Sequence, residues 1–220
     1  MSRLKRAGRQ TKRREGIRDE RPATCLIITE GTETEVNYFN NIKQIINERF
    51  RRREIQENYP IKVEGKARST SVLVNDAIKR KNRENFSDVW VVFDKDDNTD
   101  FNEAIKLAEE NGIKVAWSNE SFELWLLLHF QTLNAAISRD QYITNLNKHF
   151  KSMSINNGCY NKSIKNLFDA TKDYVDNAIT RSEKLRNQYK VNNSNYSKMN
   201  PGTNVDILVK ELIKFTRNDT

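Results

Sequence analysis

Between residues 22 and 130 the chain alternates short apolar runs with segments of helical periodicity, and this order constrains its fold more than any other feature. Each run rich in β-branched and apolar residues predicts a strand, and each segment with apolar residues at helical spacing predicts a helix. The predicted strands are about 23–29, Ile61–Glu64, Val89–Phe93 and Ile113–Trp117, and the predicted helices are about 33–50, 70–84, 100–111 and 122–130. This β-α-β-α-β-α-β-α order predicts an α/β fold, a parallel sheet flanked by helices with right-handed crossovers.

Two local signals mark helix boundaries, and the chain changes character after residue 130. Asn111-Gly112 predicts a left-handed helix end, and Ser118 is a natural N-cap for the helix at 122–130, which is apolar on nearly all sides and so is expected to be buried. Further helices are predicted near 139–150, 161–172, 174–190 and 204–216, with a loose loop at 191–200 that includes Asn193–Ser197. We therefore divide the chain into a basic arm at 1–21, an α/β domain at 22–130 and a helical extension at 131–220.

Carboxylates stand where two of the predicted strands end. Glu30 and Gly31 follow the first strand, and Asp94 and Asp96 follow the third, with Asp97 beside them. The carboxyl ends of parallel strands meet at one edge of a sheet, and alternate residues leaving a strand point to the same side. Carboxylate oxygens are the ligands that Mg²⁺ and Mn²⁺ prefer, and these ions serve phosphate chemistry. The sequence therefore predicts a metal site formed by Glu30, Asp94 and Asp96.

Other roles stay open for several acids. Asp97 or Asn98 could cap the next helix and leave the aspartates solvated. Glu35 matches a capping box with Thr32, and it is equally a candidate for the metal site. Glu123 would be costly inside so apolar a helix unless it is paired or functional, and the helix dipole favours an anion near this end. We therefore count Glu123 among the candidate catalytic residues.

Basic residues concentrate at the start of the chain. The whole sequence carries a formal charge of +8, of which residues 1–21 contribute +6. This arm has too few large apolar residues to fold alone, and we expect it to contact nucleic-acid phosphates through Lys12, Arg13 and Arg14; a solvated tail is the alternative. Lys66 and Arg68 lie in a basic turn at the predicted sheet edge, where backbone amides could help them hold phosphate.

Other features exclude several classes of protein. No apolar run approaches the roughly 20 residues of a membrane span, and the first residues lack a signal peptide's apolar stretch, so we expect a cytoplasmic protein without membrane contact. Cys25 and Cys159 lack metal-ligand spacing and indicate a core thiol and an incidental one. His129 is expected to be a hydrogen-bonded core residue, because no second histidine or cysteine stands at ligand spacing.

The acid motifs resemble known families. Leu26–Gly31 followed by Val91–Asp96 looks like a Toprim domain, the Mg²⁺-binding module of type IA and II topoisomerases, primases and OLD-family nucleases, in which a Glu follows the first strand and a D-x-D the third. Four stretches are similar to the RloB-like family: Glu30–Phe39, Val89–Asp97, Ser118–Phe130 and Asn200–Val205. The resemblance covers most of residues 22 to 216.

The resemblance implies a Toprim-like, Rossmannoid sheet with a helical C-terminal extension, and Glu30, Asp94 and Asp96 as its metal ligands. It also implies a place in bacterial restriction or abortive-infection loci beside a partner ATPase, and phage defence through nucleic-acid cleavage. The sequence departs from the pattern at two positions. Ser121 replaces a cysteine usual in the family, which suggests that this position is not catalytic, and Glu35 lies one residue further from Glu30 than in primase-like Toprim domains.

Together these observations predict an Mg²⁺- or Mn²⁺-dependent endonuclease that cleaves DNA or RNA, with tRNA among the candidate substrates. A phosphoryl-transfer enzyme is a weaker alternative: Phe93–Thr99 superficially matches a haloacid-dehalogenase motif, but that motif belongs on the first strand of its sheet. A receiver domain fails similarly, because its acid pair is expected after strand one. The non-enzyme alternative is a nucleic-acid-binding or adaptor subunit of a defence complex.

Overall fold

The computed structural model describes residues 24–52, 61–96, 98–189 and 195–216. Within these ranges five strands form one sheet in the order β2-β1-β3-β4-β5. The strands are β1 Cys25–Thr29, β2 Ile61–Gly65, β3 Asp88–Asp94, β4 Lys114–Asn119 and β5 Gly202–Thr203. The first four strands are parallel, and β5 runs antiparallel to β4 with Thr203 opposite Ser118. The predicted fold class is therefore confirmed: the chain is α/β with a mostly parallel sheet.

Helices cover both faces of this sheet. Their bounds are α1 Thr34–Arg52, α2 Thr70–Arg83, α3 Phe101–Glu110, α4 Glu123–Leu128, α5 Arg139–Ser152, α6 Leu167–Thr171, α7 Val175–Asn187 and α8 Val205–Ile213. Successive residues of β1 face opposite sides, so Leu26 and Ile28 pack with α2 and α3, while Cys25 and Ile27 join the core beneath α1 and α4. None of the described helices combines the length and apolar character that a membrane span requires.

The predicted extension shares its core with the α/β part. Every residue of α4 is buried, and α4 packs against α5 and α7 through the larger of two hydrophobic clusters. His129, directly after α4, is fully buried, its Nδ1 lies 3.1 Å from the Trp125 carbonyl oxygen, and burial lowers its pKa to about 4. The prediction of a hydrogen-bonded core histidine is confirmed. The apolar core thus runs across residue 130, and the division at that point stays a prediction.

The structure differs from the sequence-based expectation at the end of β4. Ser118 is not an N-cap: it lies inside β4, and its Oγ is 3.1 Å from Thr203 Oγ1. The short strand β5 was not anticipated, because two residues between a loop and a helix show no strand periodicity. Of the loose loop predicted at 191–200, residues 191–194 lie outside the described residues, whereas Tyr196 is held in place by packing on Trp117 with ring centroids 5.6 Å apart. In contrast, Gly112 has φ +63°, as the predicted left-handed helix end requires.

Candidate metal centre

Six carboxyl groups line one open cavity of about 320 Å³ at the carboxyl edge of the sheet. They come from the ends of β1 and β3 and from the starts of α1 and α4. The six residues are Glu30, Glu33, Glu35, Asp94, Asp96 and Glu123. The structure therefore brings together the four acids that the sequence predicted and the open candidate Glu35, and it adds Glu33.

Glu30 is held against the end of β3. Its backbone N–H donates to the Val92 carbonyl at 2.8 Å, which extends the β1–β3 pairing by one residue. Its carboxylate accepts from the Asp94 backbone N–H at 3.3 Å and from Asn98 Nδ2 at 3.4 Å. Burial raises the pKa of Glu30, and the nearby Asp96 and Asp100 charges raise it further against these two hydrogen bonds.

Two glycines allow the loop after β1 to fold tightly. A Cβ at Gly31 would clash with the Glu35 carboxylate, so the absent side chain makes room for Glu35 to turn back into the cavity. A Cβ at Gly65 would lie 2.8 Å from the Gly31 carbonyl oxygen. Helix α1 begins at Thr34 with the Glu33 carbonyl accepting its first bond, so Thr32 does not stand at the predicted capping position. Glu35 lines the cavity, and its contribution to a metal site stays a prediction.

Asp94 is the most strongly perturbed acid of the cluster. It ends β3, and its Oδ2 accepts from the Phe122 backbone N–H at 3.1 Å, which ties the strand end to the start of α4. Burial raises the pKa of Asp94 well above its usual value, and the charges of Glu35 and Glu123 raise it further. Burial also raises the pKa of Glu35, again with Glu123 adding to the effect. These carboxyls repel one another, so the site favours a bound proton or cation.

Glu123 is buried, as the sequence predicted, and its partner comes from the extension. The side chain is 3% exposed, and its Oε1 accepts from the Tyr160 hydroxyl at 2.8 Å. The same hydroxyl lies 3.3 Å from Thr34 Oγ1 at the start of α1. Sequence reasoning missed Tyr160, because no local pattern distinguishes it from other tyrosines of a polar segment. Its hydrogen bonds fix Glu123 relative to α1.

Asp96 lines the cavity from a turn and not from a continuation of β3 as predicted. The reasoning that Asp94 and Asp96 alternate along a strand was wrong, since β3 ends at Asp94 and Asp96 occupies a turn with φ +35°. The Asp96 side chain is 52% exposed, and its Oδ2 lies 3.3 Å from Arg139 Nη2. Lys95 donates to the Asp96 backbone carbonyl at 2.9 Å. Asp97 lies outside the described residues.

The basic turn after β2 is hydrogen-bonded to the end of β1, beside the cavity. The backbone N–H groups of Lys66 and Ala67 donate to the carbonyls of Thr29 and Glu30, each at 3.0 Å, so these two amides are already used and do not face a phosphate as expected. Lys66 Nζ lies 2.9 Å from Glu64 Oε2. The roles predicted for Lys66 and the exposed Arg68 in phosphate binding stay predictions. The arm residues Lys12, Arg13 and Arg14 lie outside the described part of the chain.

Comparison with known proteins assigns the chain to a family. The model of the RloB-like protein family matches residues 25–212, which include the acid-bearing strand ends, the buried α4 and the C-terminal segment that forms β5. The chain belongs to the RloB-like family. No curated protein and no solved structure matched the chain.

Two cations of this RloB-like chain line the cavity beside the acids, and the sequence did not single them out. Arg139 is the first residue of α5, and Lys162 precedes α6. Both stand in the polar region after residue 130, where a single lysine or arginine carries no positional signal. They mark where the helical extension meets the sheet edge.

The oxygen-rich walls suit a hard divalent cation better than a soft one. Burial and mutual repulsion among the acids favour a bound positive charge, and this chemistry fits Mg²⁺ or Mn²⁺. Among the described residues, however, no three His, Cys, Asp or Glu side chains already converge at metal-ligand geometry. The side chains of this RloB-like protein would therefore adjust on binding an ion.

Proposed function

We propose that this RloB-like protein is a metal-dependent nuclease that hydrolyses phosphodiester bonds of DNA or RNA. One observation carries the proposal. Acids from four separate elements are packed around a single open cavity at the sheet edge, where burial raises the pKa of Glu30, Glu35 and Asp94. Such crowding is unfavourable unless the acids bind a cation or handle protons, so it supports a functional role better than a structural one.

Glu30, Asp94 and Asp96 would hold Mg²⁺ or Mn²⁺ in a Toprim-like arrangement. A divalent cation there supplies a Lewis acid for the charge that develops on a phosphodiester. Glu30 and Asp94 are linked to each other by the hydrogen bond from the Asp94 N–H, so they would act as one unit.

Glu30 has an alternative task, and Glu123 a separate one. Where Glu30 does not ligate the ion, it accepts the proton of the attacking water on its carboxylate, since its raised pKa makes it a better base than an exposed glutamate. Glu123, held through one oxygen by Tyr160, presents the rest of its carboxylate to the substrate side of the cavity. Water attacks phosphorus, the bond to the leaving oxygen breaks, and that oxygen takes a proton from solvent.

A non-catalytic nucleic-acid-binding or adaptor subunit is the second candidate. The observation that favours it is the lack, within the described residues, of three acids already in metal-ligand geometry. In either case we propose a role in anti-phage defence, with a partner ATPase controlling the activity. The acids and the basic arm would then serve recognition of nucleic acid.

Incubation of the purified full chain with labelled DNA and RNA panels, including tRNA, separates the two candidates. We expect cleavage with Mg²⁺ or Mn²⁺, none with EDTA, and none by Asp94→Asn or Asp96→Asn purified in the same way. Glu110→Gln is the matched control, because Glu110 is 60% exposed at the end of α3 away from the carboxyl edge. Binding of nucleic acid without cleavage would favour the adaptor. Cleavage at the wild-type rate by a variant that carries both Asp94→Asn and Asp96→Asn would refute the assignment of these residues as metal ligands.

A further inference from the structure

We propose that Arg139 binds the phosphate of the nucleic-acid substrate and that Asp96 holds this guanidinium when no substrate is present. The inference rests on the proposed nuclease function and assigns a binding residue from the helical extension, outside the strand-end acids. It is carried by the position of Arg139, by its contacts and by the charge of the cavity.

Arg139 is placed at the cavity by a well-defined helix start. The preceding Ser138 caps α5: its Oγ accepts from the Gln141 N–H at 3.4 Å, and the Gln141 side chain accepts from the Ser138 N–H at 2.8 Å. This capping box fixes where α5 begins, and the Arg139 side chain extends from its first residue into the cavity wall. The Arg139 side chain is 39% exposed and so remains open to a ligand.

The contacts that hold Arg139 are weak enough to exchange. Its Nη2 lies 3.3 Å from Asp96 Oδ2 and 3.4 Å from the Glu120 carbonyl oxygen. Charge-assisted hydrogen bonds of good geometry are about 2.7–2.9 Å long, and a phosphate can engage an arginine through two parallel bonds. A substrate phosphate would therefore compete well against the existing pair.

The charge of the cavity makes such a cation necessary. Among the described residues six carboxyls and two cations line it, so a polyanion would be repelled without local compensation. Lys162 lies near Glu35 and lowers the pKa of that carboxyl against the effect of burial, so its charge acts on the acid cluster. Arg139 pairs directly with Asp96, and the charges of Asp94 and Glu123 also act on it. Asp96 would leave the guanidinium on joining a metal ion. Ion binding would thus free the guanidinium for phosphate.

The residues just before β5 hold the turn that contacts Arg139. Glu120, whose carbonyl accepts from Arg139, has φ +77°, and its side chain accepts from Asn200 Nδ2 at 3.2 Å. Asn119 beside it donates to the Ser197 carbonyl at 2.9 Å. The residues before β5 therefore hold the turn on which the guanidinium rests.

The test compares Arg139→Gln and Arg139→Lys with wild type, and it uses Lys148→Gln as the matched control. Lys148 lies on the same helix and does not line the cavity, so its loss removes the same charge elsewhere. Cleavage of a labelled oligonucleotide gives kcat and KM, calorimetry with Mn²⁺ alone gives metal affinity, and thermal unfolding reports the fold.

We expect Arg139→Gln to lower kcat/KM about 10-fold or more, with Mn²⁺ affinity unchanged or higher because Asp96 is released. Arg139→Lys should recover part of the loss, and Lys148→Gln should resemble wild type. If the wild type cleaves the oligonucleotide and Arg139→Gln does so with the same kcat and KM, this inference is overturned and the proposed function stands. The same holds if Arg139→Gln loses activity only because it binds Mn²⁺ more weakly or is less stable. No cleavage and no Mn²⁺ binding by wild type would overturn the proposed function and this inference with it.

Discussion

At the scale of single residues, Asp94 shows what burial does to a carboxylate at a strand end. Its pKa is raised well above 3.8, first by burial and then by Glu35 and Glu123. A raised pKa in the folded state means that the stability associated with the protonated group is fully present below the unfolded pKa. That stability is lost as pH rises through the folded pKa.

We therefore expect Asp94→Asn to raise the melting temperature in EDTA at pH 7 to 8. The gain should shrink as pH falls and vanish near pH 3.8 and below, where wild-type Asp94 is protonated in both states. Thermal unfolding from pH 3 to 8 measures this, with Glu110→Gln as the exposed-acid control. A change in melting temperature that is independent of pH would show that the cost of ionising Asp94 in the folded protein is not the cause.

Replacing Glu123 can separate an effect on cleavage from an effect on stability. A glutamine at this position can still accept the hydrogen bond that Tyr160 donates, so Glu123→Gln should leave the melting temperature nearly unchanged. Cleavage should fall by about 10-fold or more, the usual cost of losing one charge-assisted hydrogen bond on the substrate side of the cavity. Tyr160→Phe is the companion variant, because it removes the hydroxyl and retains the carboxylate. A large fall in stability with normal activity per folded molecule would make Glu123 purely structural.

At the scale of secondary-structure elements, the outer edge of β4 depends on one side chain. The two-residue β5 pairs only with the end of β4, at Ser118 and Asn119. Asn204 continues that edge: its Oδ1 accepts from the Trp117 N–H at 2.6 Å, and its Nδ2 donates to the Val115 carbonyl at 2.9 Å. This side chain thus replaces main-chain pairing that a longer strand would provide.

Replacing Asn204 by alanine should lower the free energy of unfolding by about 1–3 kcal/mol, the usual cost of leaving backbone groups unsatisfied. The reason is that the Trp117 N–H and the Val115 carbonyl both lose their partner. Urea unfolding measures the change, and Asn134→Ala in an exposed stretch is the matched control. An unchanged unfolding free energy would show that water replaces both bonds.

At the scale of the whole molecule, charge is distributed unevenly along the chain. Residues 1–21 carry +6, against +2 for all later residues. The carboxylates of the candidate site belong to the sheet edge and to the helices beside it. Long-range attraction to nucleic acid and chemistry at the site should therefore be separable.

Deleting residues 1–21 should flatten the dependence of log affinity on log salt for DNA or RNA, because each neutralised phosphate contributes roughly 0.7–0.9 to that slope. Cleavage at saturating substrate should largely survive, since the acids that line the cavity in the described part of the chain belong to the sheet edge and the helices beside it. Binding measured across a salt series for the full and truncated chains decides the matter. Equal slopes would mean that the arm does not bind nucleic acid and is a solvated tail or a docking segment for another protein.

Much of the architecture followed from local pattern. The alternation of strands and helices, the parallel sheet and the placement of Glu30 and Asp94 at its edge could be predicted, because periodicity and strand direction depend on neighbouring residues. The errors fall where local rules compete with packing. Ser118 has cap chemistry but pairs with Thr203, and Asp96 turns away from the strand that was expected to continue.

The sequence by itself determined the fold class and the acids at the strand ends, since both follow from short-range periodicity and the polarity of a parallel sheet. Only the tertiary structure decided which other groups join them. Tyr160 meets Glu123 across 37 residues and Thr34 across 126, and Arg139 reaches Asp96 from the extension. Such contacts depend on how helices pack over the sheet edge, and that packing is a property of the whole core rather than of any one segment.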